Sequence, residues 1–206
     1  MIDNIELIKP LLTFEKKDDF HMLYIFKRKK DQLRGEKENS QSVRTIKSYC
    51  IHSLGHLEER YSEIKDLCEY FKARCYIHIQ TQNHRDVGLN MMIELATRLK
   101  DGATNQRNLF DSVVGQVKVV EKSWIVDIDN TDPRYENFII DMINVSQPKE
   151  NKVIAKIPTK NGLHLISKPF NVQEFNKYVK VRTDTIPDIQ KKNPTLLYYP
   201  NSLELC

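Results

Sequence analysis

Trp124-Ile125-Val126-Asp127-Ile128-Asp129, followed some 30 residues later by Thr159-Lys160-Asn161-Gly162-Leu163-His164, is the stretch on which the fold turns. Trp124, Val126 and Ile128 alternate with Ile125, Asp127 and Asp129, the period of a β-strand. Residues i and i+2 on a strand share a side, roughly 6.6 Å apart at Cα. Two carboxylates so placed can share hard divalent cations, which one or two protein carboxylates and substrate phosphates typically hold. The plain alternative is a strand running into an acidic turn, because Asp129-Asn130-Thr131-Asp132-Pro133 is also good turn chemistry.

Outward from this strand, Asp132-Pro133 is a helix start, a capping side chain followed by proline at the first helical position. Tyr135, Phe138, Ile139, Met142 and Ile143 form the buried stripe of that helix. Val153 to Pro158 and Leu163 to Ser167 read as a hairpin closed by Asn161-Gly162. A helix over Val172 to Val179 and a strand over Thr195 to Tyr199 complete the C-terminal half. Towards the N-terminus, a short element precedes a strand over Phe20 to Phe26, the basic run Lys27-Arg28-Lys29-Lys30 and a polar loop over 35–42. A strand over Arg44 to His52 leads to a helix marked by Leu57, Tyr61, Ile64, Leu67, Cys68 and Phe71. Arg74 to Gln80 alternates strictly, with Cys75, Ile77 and Ile79 on one side and Arg74, Tyr76, His78 and Gln80 on the other. A second helix over Asp86 to Lys100 carries Val87, Met91, Met92, Leu95 and Leu99 as its stripe, and Gly102 to Phe110 reads as a loop.

This order predicts an α+β fold of largely antiparallel sheets with helices on one face. The 206 residues suffice for two modules, 1–115 and 116–206, forming one unit around a shared cleft. The net charge of +4 is compatible with nucleic acid without demanding it. Cys50, Cys68, Cys75 and Cys206 have no zinc-finger spacing, so free thiols are expected. No apolar run approaches the roughly 18 residues of a membrane span, and no signal-peptide pattern opens the chain. The expected compartment is cytoplasmic, with no membrane partner.

The chemistry predicted for the cleft is phosphate-plus-metal. Asp127, Asp129 and a third acid, Asp188 or else Asp184, would bind Mg²⁺ or Mn²⁺. Lys160 and the hairpin amides would hold phosphates, and His164 would donate to a phosphate oxygen. Arg74, Tyr76 and His78 could contact a nucleic-acid backbone and stack a base, although an ordinary polar strand face would look the same.

These residues resemble the catalytic core of the archaeo-eukaryotic primase superfamily, which includes primase-polymerases and the polymerase domain of bacterial end-joining ligases. The Asp-x-Asp pair is similar to the metal-binding first motif, and Gly162-Leu163-His164 to the small-residue-x-His second motif. Asp188-Ile-Gln-Lys-Lys-Asn193-Pro-Thr195-Leu-Leu-Tyr198 is similar to the third. Many members carry Ser two residues before the His, where this chain has Gly162 and its nearest upstream hydroxyl is Thr159. The resemblance, confined mainly to residues 120–200, implies an N-terminal αβ module beside an RRM-like module with the site in the cleft. It implies a two-metal nucleotidyltransferase with a helicase as a possible replication partner, and the size and polar, lysine-rich composition would also suit a small phage or mobile-element protein. Asp127, Asp129 and Asp188 would bind metal. His164, Lys160, Thr159 and Lys168 would bind the nucleoside triphosphate, and Arg74, Tyr76, His78, Lys27, Arg28, Lys29 and Lys30 the template strand. A non-catalytic nucleic-acid-binding protein of the same fold is the alternative. A two-histidine phosphoesterase fits poorly, because the hydroxyls of Thr81 and Ser167 follow His78 and His164 by three residues and point the opposite way.

Overall fold

Strand alternation and helical periodicity divide the chain between two antiparallel sheets that share part of one core. The computed structural model describes residues 1–28, 31, 43–103, 108–117, 119, 121–130, 132–183 and 185–203. Lys29, Lys30, the expected loop over 35–42, Asp184 and Cys206 lie outside the described residues. In chain order the elements are β1 (Ile2–Asp3), α1 (Ile5–Ile8), a 3₁₀ turn at Lys9–Leu11, β2 (Asp19–Arg28), β3 (Val43–Ile51), α2 (Leu54–Phe71) and β4 (Arg74–Ile77). Then come β5 (Gln82–Asn83), α3 (His84–Lys100), α4 (Leu109–Val114), β6 (Trp124–Ile128), α5 (Pro133–Val145) and β7 (Val153–Pro158). The last are β8 (Leu163–Ser167), α6 (Val172–Lys180), β9 (Asp188–Gln190), β10 (Thr195–Tyr199) and a 3₁₀ turn at Asn201–Leu203.

The first sheet has the order β1-β10-β4-β2-β3, with β5 added to β2, and the second the order β7-β8-β6-β9. All strand pairs are antiparallel. The fold is therefore mixed α+β. After β9 the chain returns to the first sheet, where the C-terminal strand β10 lies between β1 and β4.

Burial explains the layers. Val126, Ile128 and Leu165 face Ile139, Ile143, Phe175 and Val179 of α5 and α6. Leu23, Ile25, Cys75 and Ile77 pack on Leu57, Tyr61, Ile64 and Cys68 of α2. On the opposite side of β2, Phe20 and Met22 lie under Val87 of α3 and Leu109 and Val113 of α4. Ile125, Ile157 and Ile166, from the other face of the second sheet, join the α2-side cluster and so join the two sheets. Each such side chain removed from water contributes roughly 1.5–3 kcal/mol. Caps fall where hydrogen-bonding side chains precede the helices: Ser53 accepts from the His56 amide, Asp132 from that of Arg134, and Asn171 from those of Gln173 and Glu174.

Three expectations shift. α4, six residues long and too short to show a period, begins at the end of the segment read as a loop and runs on past Phe110. β4 ends at Ile77 rather than continuing to Gln80. On α3, Val87 is buried and Met91 and Leu95 are partly buried, whereas Met92 and Leu99 are exposed. A step of four residues advances about 40° around a helix, so 87, 91 and 95 span about 80° of one face and Met92 and Leu99 fall beyond it.

Lys152, fully buried, closes the end of α5. Its ammonium donates to the carbonyls of Asn144 and Ser146 at 2.9 Å each, of Pro148 at 2.5 Å and of Glu150 at 3.3 Å. A cation among the last carbonyls of a helix satisfies acceptors that the helix itself leaves open. Replacing Lys152 with Met keeps the stem and strands these carbonyls, at an expected cost of about 3 kcal/mol read as a lower urea midpoint. An unchanged midpoint would show that the carbonyl cage does not stabilise the fold.

Candidate functional site

Strand register builds the site. Asp127 of β6 is paired with His164 of β8 on one side and with Asp188 of β9 on the other. His164 is paired in turn with Ile157 of β7. Directly opposed residues of antiparallel strands project from the same face with Cα atoms about 4.5–5.5 Å apart. Ile157, His164, Asp127 and Asp188 thus form one row across the second sheet, on the face turned toward the first. Along it, burial gives way to solvent: Ile157 and His164 are buried, Asp127 is half-buried and Asp188 is exposed.

His164, 7% exposed, is held from both sides. Its Nδ1 lies 2.9 Å from Thr195 Oγ1 on β10, and its Nε2 lies 3.6 Å from Asp127 Oδ1. A carboxylate opposite Nε2 favours the proton there, leaving Nδ1 to accept from the Thr195 hydroxyl. Burial, reinforced by the nearby Arg28 charge and opposed by Asp129, pushes the imidazole pKa down to about 4. His164 is neutral at pH 7.

Gly162 governs how closely the β7–β8 turn approaches this row. A Cβ on it would lie 1.8 Å from the Ile128 carbonyl oxygen and 3.0 Å from Asp129 Cα. The turn is not the two-residue type that Asn161-Gly162 suggests. Pro158 pairs with Leu163, and the Thr159 amide donates to the Gly162 carbonyl across a four-residue connection. Neither Asn161 nor Gly162 has positive φ. The glycine is required for space, not for backbone freedom.

The other expected residues divide. Asp129 is exposed just beyond β6, at the end approached by the turn, and its charge is felt by His164. Asp188 accepts at 2.9 Å from Gln190 Nε2. Lys160 is exposed in the turn, its ammonium 5.3 Å from the Tyr199 ring centroid, and Thr159 is half-buried beside it. Lys168, just past the end of β8, is four residues from His164, about 13 Å along an extended chain, and its ammonium stands 3.9 Å from Glu150. The strand face expected to be open at Arg74 and Tyr76 is covered. Arg74 is 4% exposed, pairs with Asp31 at 2.7 Å and lies over the Tyr199 ring, while Tyr76 stacks on Phe26 at 4.7 Å. Tyr199 and Phe26 supply that cover from the neighbouring strands. His78 is half-buried beyond the end of β4, edge-on to Tyr24. Lys27 is buried and Arg28 exposed.

Sequence reasoning gave no role to Thr195, Gln190, Tyr199 or Asn4. Asn4 Nδ2 donates at 2.9 Å to both the Pro158 and Leu196 carbonyls, fastening the hairpin end to β10. The only sequence signal for Thr195 was its place in the third resembling segment.

No protein-family model, curated protein or solved structure matches this chain. Among the described residues no three His, Cys, Asp or Glu side chains stand as a ready group for a metal ion, and no helix is long and apolar enough to cross a membrane. In the row Asp127 and Asp188 stand side by side next to one neutral imidazole, carboxylate oxygens being donors that a hard cation could take, while the buried thiols of Cys68 and Cys75 lie apart in the α2-side cluster.

Two measurements test this geometry. Gly162→Ala must displace the turn or the end of β6, with an expected loss of about 2–4 kcal/mol by urea denaturation. Wild-type stability would mean the backbone yields freely. The second measurement is pH dependence. His78, like His164, is held near 4, by burial and then by His21. An unfolded histidine titrates near 6.5, so between about 6.5 and 4 the unfolded chain takes up protons that the folded chain refuses. The contribution of these two groups is fully present above about pH 6.5 and falls through that window. Urea midpoints should drop from pH 7 to pH 5, less steeply in His78→Asn; a flat wild-type profile contradicts the neutral-histidine assignment.

Proposed function

We propose that the chain is a primase-polymerase-like nucleotidyltransferase that adds nucleotides to a nucleic-acid strand. The observation that carries this reading is the in-register row His164–Asp127–Asp188, with Gly162 bringing the Lys160 turn against Asp129. The element order β-α-β-β-α-β from β6 to β9, with strand order β7-β8-β6-β9, suits an RRM-like module. We read the first sheet as the partner module and the face between them as the working cleft.

Asp127, Asp129 and Asp188 would hold Mg²⁺ or Mn²⁺, which when bound would neutralise triphosphate charge and polarise the reacting phosphoryl group. The residues of the chain would do the positioning. His164, neutral and fixed by Thr195, would offer Nε2–H to a phosphate oxygen without adding charge to the site. Lys160 would hold the far phosphates from the turn. Exposed Arg28, at the end of β2, would balance negative charge and contact a template backbone. Positioning and charge neutralisation account for most of the rate acceleration in phosphoryl transfer.

A non-catalytic nucleic-acid-binding role is the competing reading. It is favoured by the carboxylate of Asp188, which engages Gln190 at the open end of the row. Template-dependent incorporation of labelled nucleotide, with Mg²⁺ or Mn²⁺, separates the two. Wild type should incorporate, and Asp127→Ala should lose at least about 100-fold, equivalent to roughly 2.7 kcal/mol in the barrier. Strand binding without incorporation by the wild type would favour the binding role.

A further inference from the structure

At the other end of β6 from Asp129 lies a cavity of about 460 Å³, within the range of about 300–1,000 Å³ usual for small-molecule sites. Its walls come from four parts of the chain: the segment after β4, the end of α4, the start of β6 and the turn between β9 and β10. Gln80 braces three of these parts, its Nε2 donating to the carbonyls of Ser123 at 2.8 Å and Lys191 at 3.0 Å. The Lys192 ammonium joins the fourth by donating to the Gly115 carbonyl at 2.9 Å. The enclosure is therefore tied together by side chains bridging segments distant in sequence.

The lining chemistry is one-sided. Lys122, Lys191 and Lys192 stand at the cavity with no acidic residue among the described lining residues. An adjoining cavity of about 240 Å³ has the opposite character, with Glu15, Asp19, Asp86 and Glu121 in its wall. Trp124 supplies an aromatic surface, over which the Lys191 ammonium sits 4.7 Å from the ring. Behind it are the amides of Gln80 and Gln82 and the His78 imidazole. Gln82, a wall residue of both cavities, is 7% exposed, and its amide oxygen is buried with no hydrogen-bond partner among the described residues. A buried acceptor left unpaired is destabilising, so an incoming N–H donor would be favoured there.

An anion-seeking rim, an indole wall and unpaired amide hydrogen-bonding capacity together define the ligand class. We infer that this cavity binds a nucleoside monophosphate unit, its phosphate on Lys122, Lys191 and Lys192, its base against Trp124 and a base N–H toward Gln82. Trp124 and Asp127 are three residues apart on β6, about 10 Å, and point to opposite faces. The site is thus separate from the acidic row and does not depend on the row being catalytic. The unit bound is a free mononucleotide or the terminal nucleotide of a strand, which share this chemistry.

Trp124 is the single tryptophan of the chain, so its fluorescence reports the cavity directly. The full-length protein, in buffer with EDTA, is titrated with AMP, adenosine, inorganic phosphate and a 5′-phosphorylated oligoadenylate. AMP should quench Trp124 saturably and bind at least about tenfold more tightly than adenosine or inorganic phosphate, because each of these supplies only half of the contacts. Tighter binding of the oligonucleotide than of AMP assigns the site to a strand end, and equal binding assigns it to the free mononucleotide; both support the inference. The exposed-lysine variants Lys122→Ala and Lys191→Ala should each weaken AMP binding severalfold, whereas Asp127→Asn should leave it unchanged. Absence of saturable quenching overturns the inference, as does inorganic phosphate binding as tightly as AMP or insensitivity to both lysine substitutions. Incorporation activity can fail while this metal-free binding persists, so the two readings are tested apart.

Discussion

The hydrogen bond between His164 and Thr195 joins the two sheets at the point where their shared apolar core gives out. On one side of it Ile157, Ile166 and Ile125 continue into the cluster under α2, and on the other the row opens through Asp127 to Asp188. Asn4 adds a second polar tie next to the first, bonding the residue after Ile157 and the residue after Thr195. Polar bonds in such a place are directional where apolar packing is not, so they fix how β8 meets β10 as well as that it does. This is why β10 matters beyond its length. It carries Thr195 from the first sheet to an imidazole of the second, and Tyr199 to the cations of Arg74 and Lys160.

That contact requires the right face, and the face is set by burial on the far side of the sheet. Val126, Ile128 and Leu165 are committed to α5 and α6, which directs Ile125, Asp127 and His164 toward the first sheet. A slip of one residue would exchange the two sets and place two carboxylates and an imidazole against Phe175 and Val179. The cost of burying them there excludes the alternative register. The helices, though distant from the row, are what keep it aligned.

Much of this was legible in the sequence because it rests on short-range periodicity. The strict alternation in 124–129 placed the β6 face, Asp132-Pro133 the start of α5, and the bounds of β7 and β8 followed from their apolar runs. What could not be read locally was which surface covers which. Arg74 and Tyr76 look like an exposed polar face until Phe26 and Tyr199 arrive from neighbouring strands, and Lys152 looks like surface charge until the end of α5 encloses it. The roles of Thr195 and Asn4 are contacts across more than 30 and 150 positions, to which no local period points. β9 was missed for a related reason: three residues are too few to show alternation, and the pairing with β6 defines the strand.

Gly162 shows how a correct local signal can carry the wrong cause. Asn-Gly marks a hairpin, and the hairpin is there, yet the glycine serves the close approach of the turn to the end of β6. The same contact explains why a serine two residues before the histidine has no place in this chain: its Cβ alone would overlap the Ile128 carbonyl. Any hydroxyl near His164 therefore has to come from outside position 162. The Thr195 hydroxyl is already committed to Nδ1, so it acts on the site through the imidazole, by selecting the tautomer that turns N–H toward the acids. Loss of a side chain at the turn and gain of one on β10 are thus two sides of the same close packing. The turn moves in against β6, and the histidine is oriented from behind instead of being flanked from its own strand.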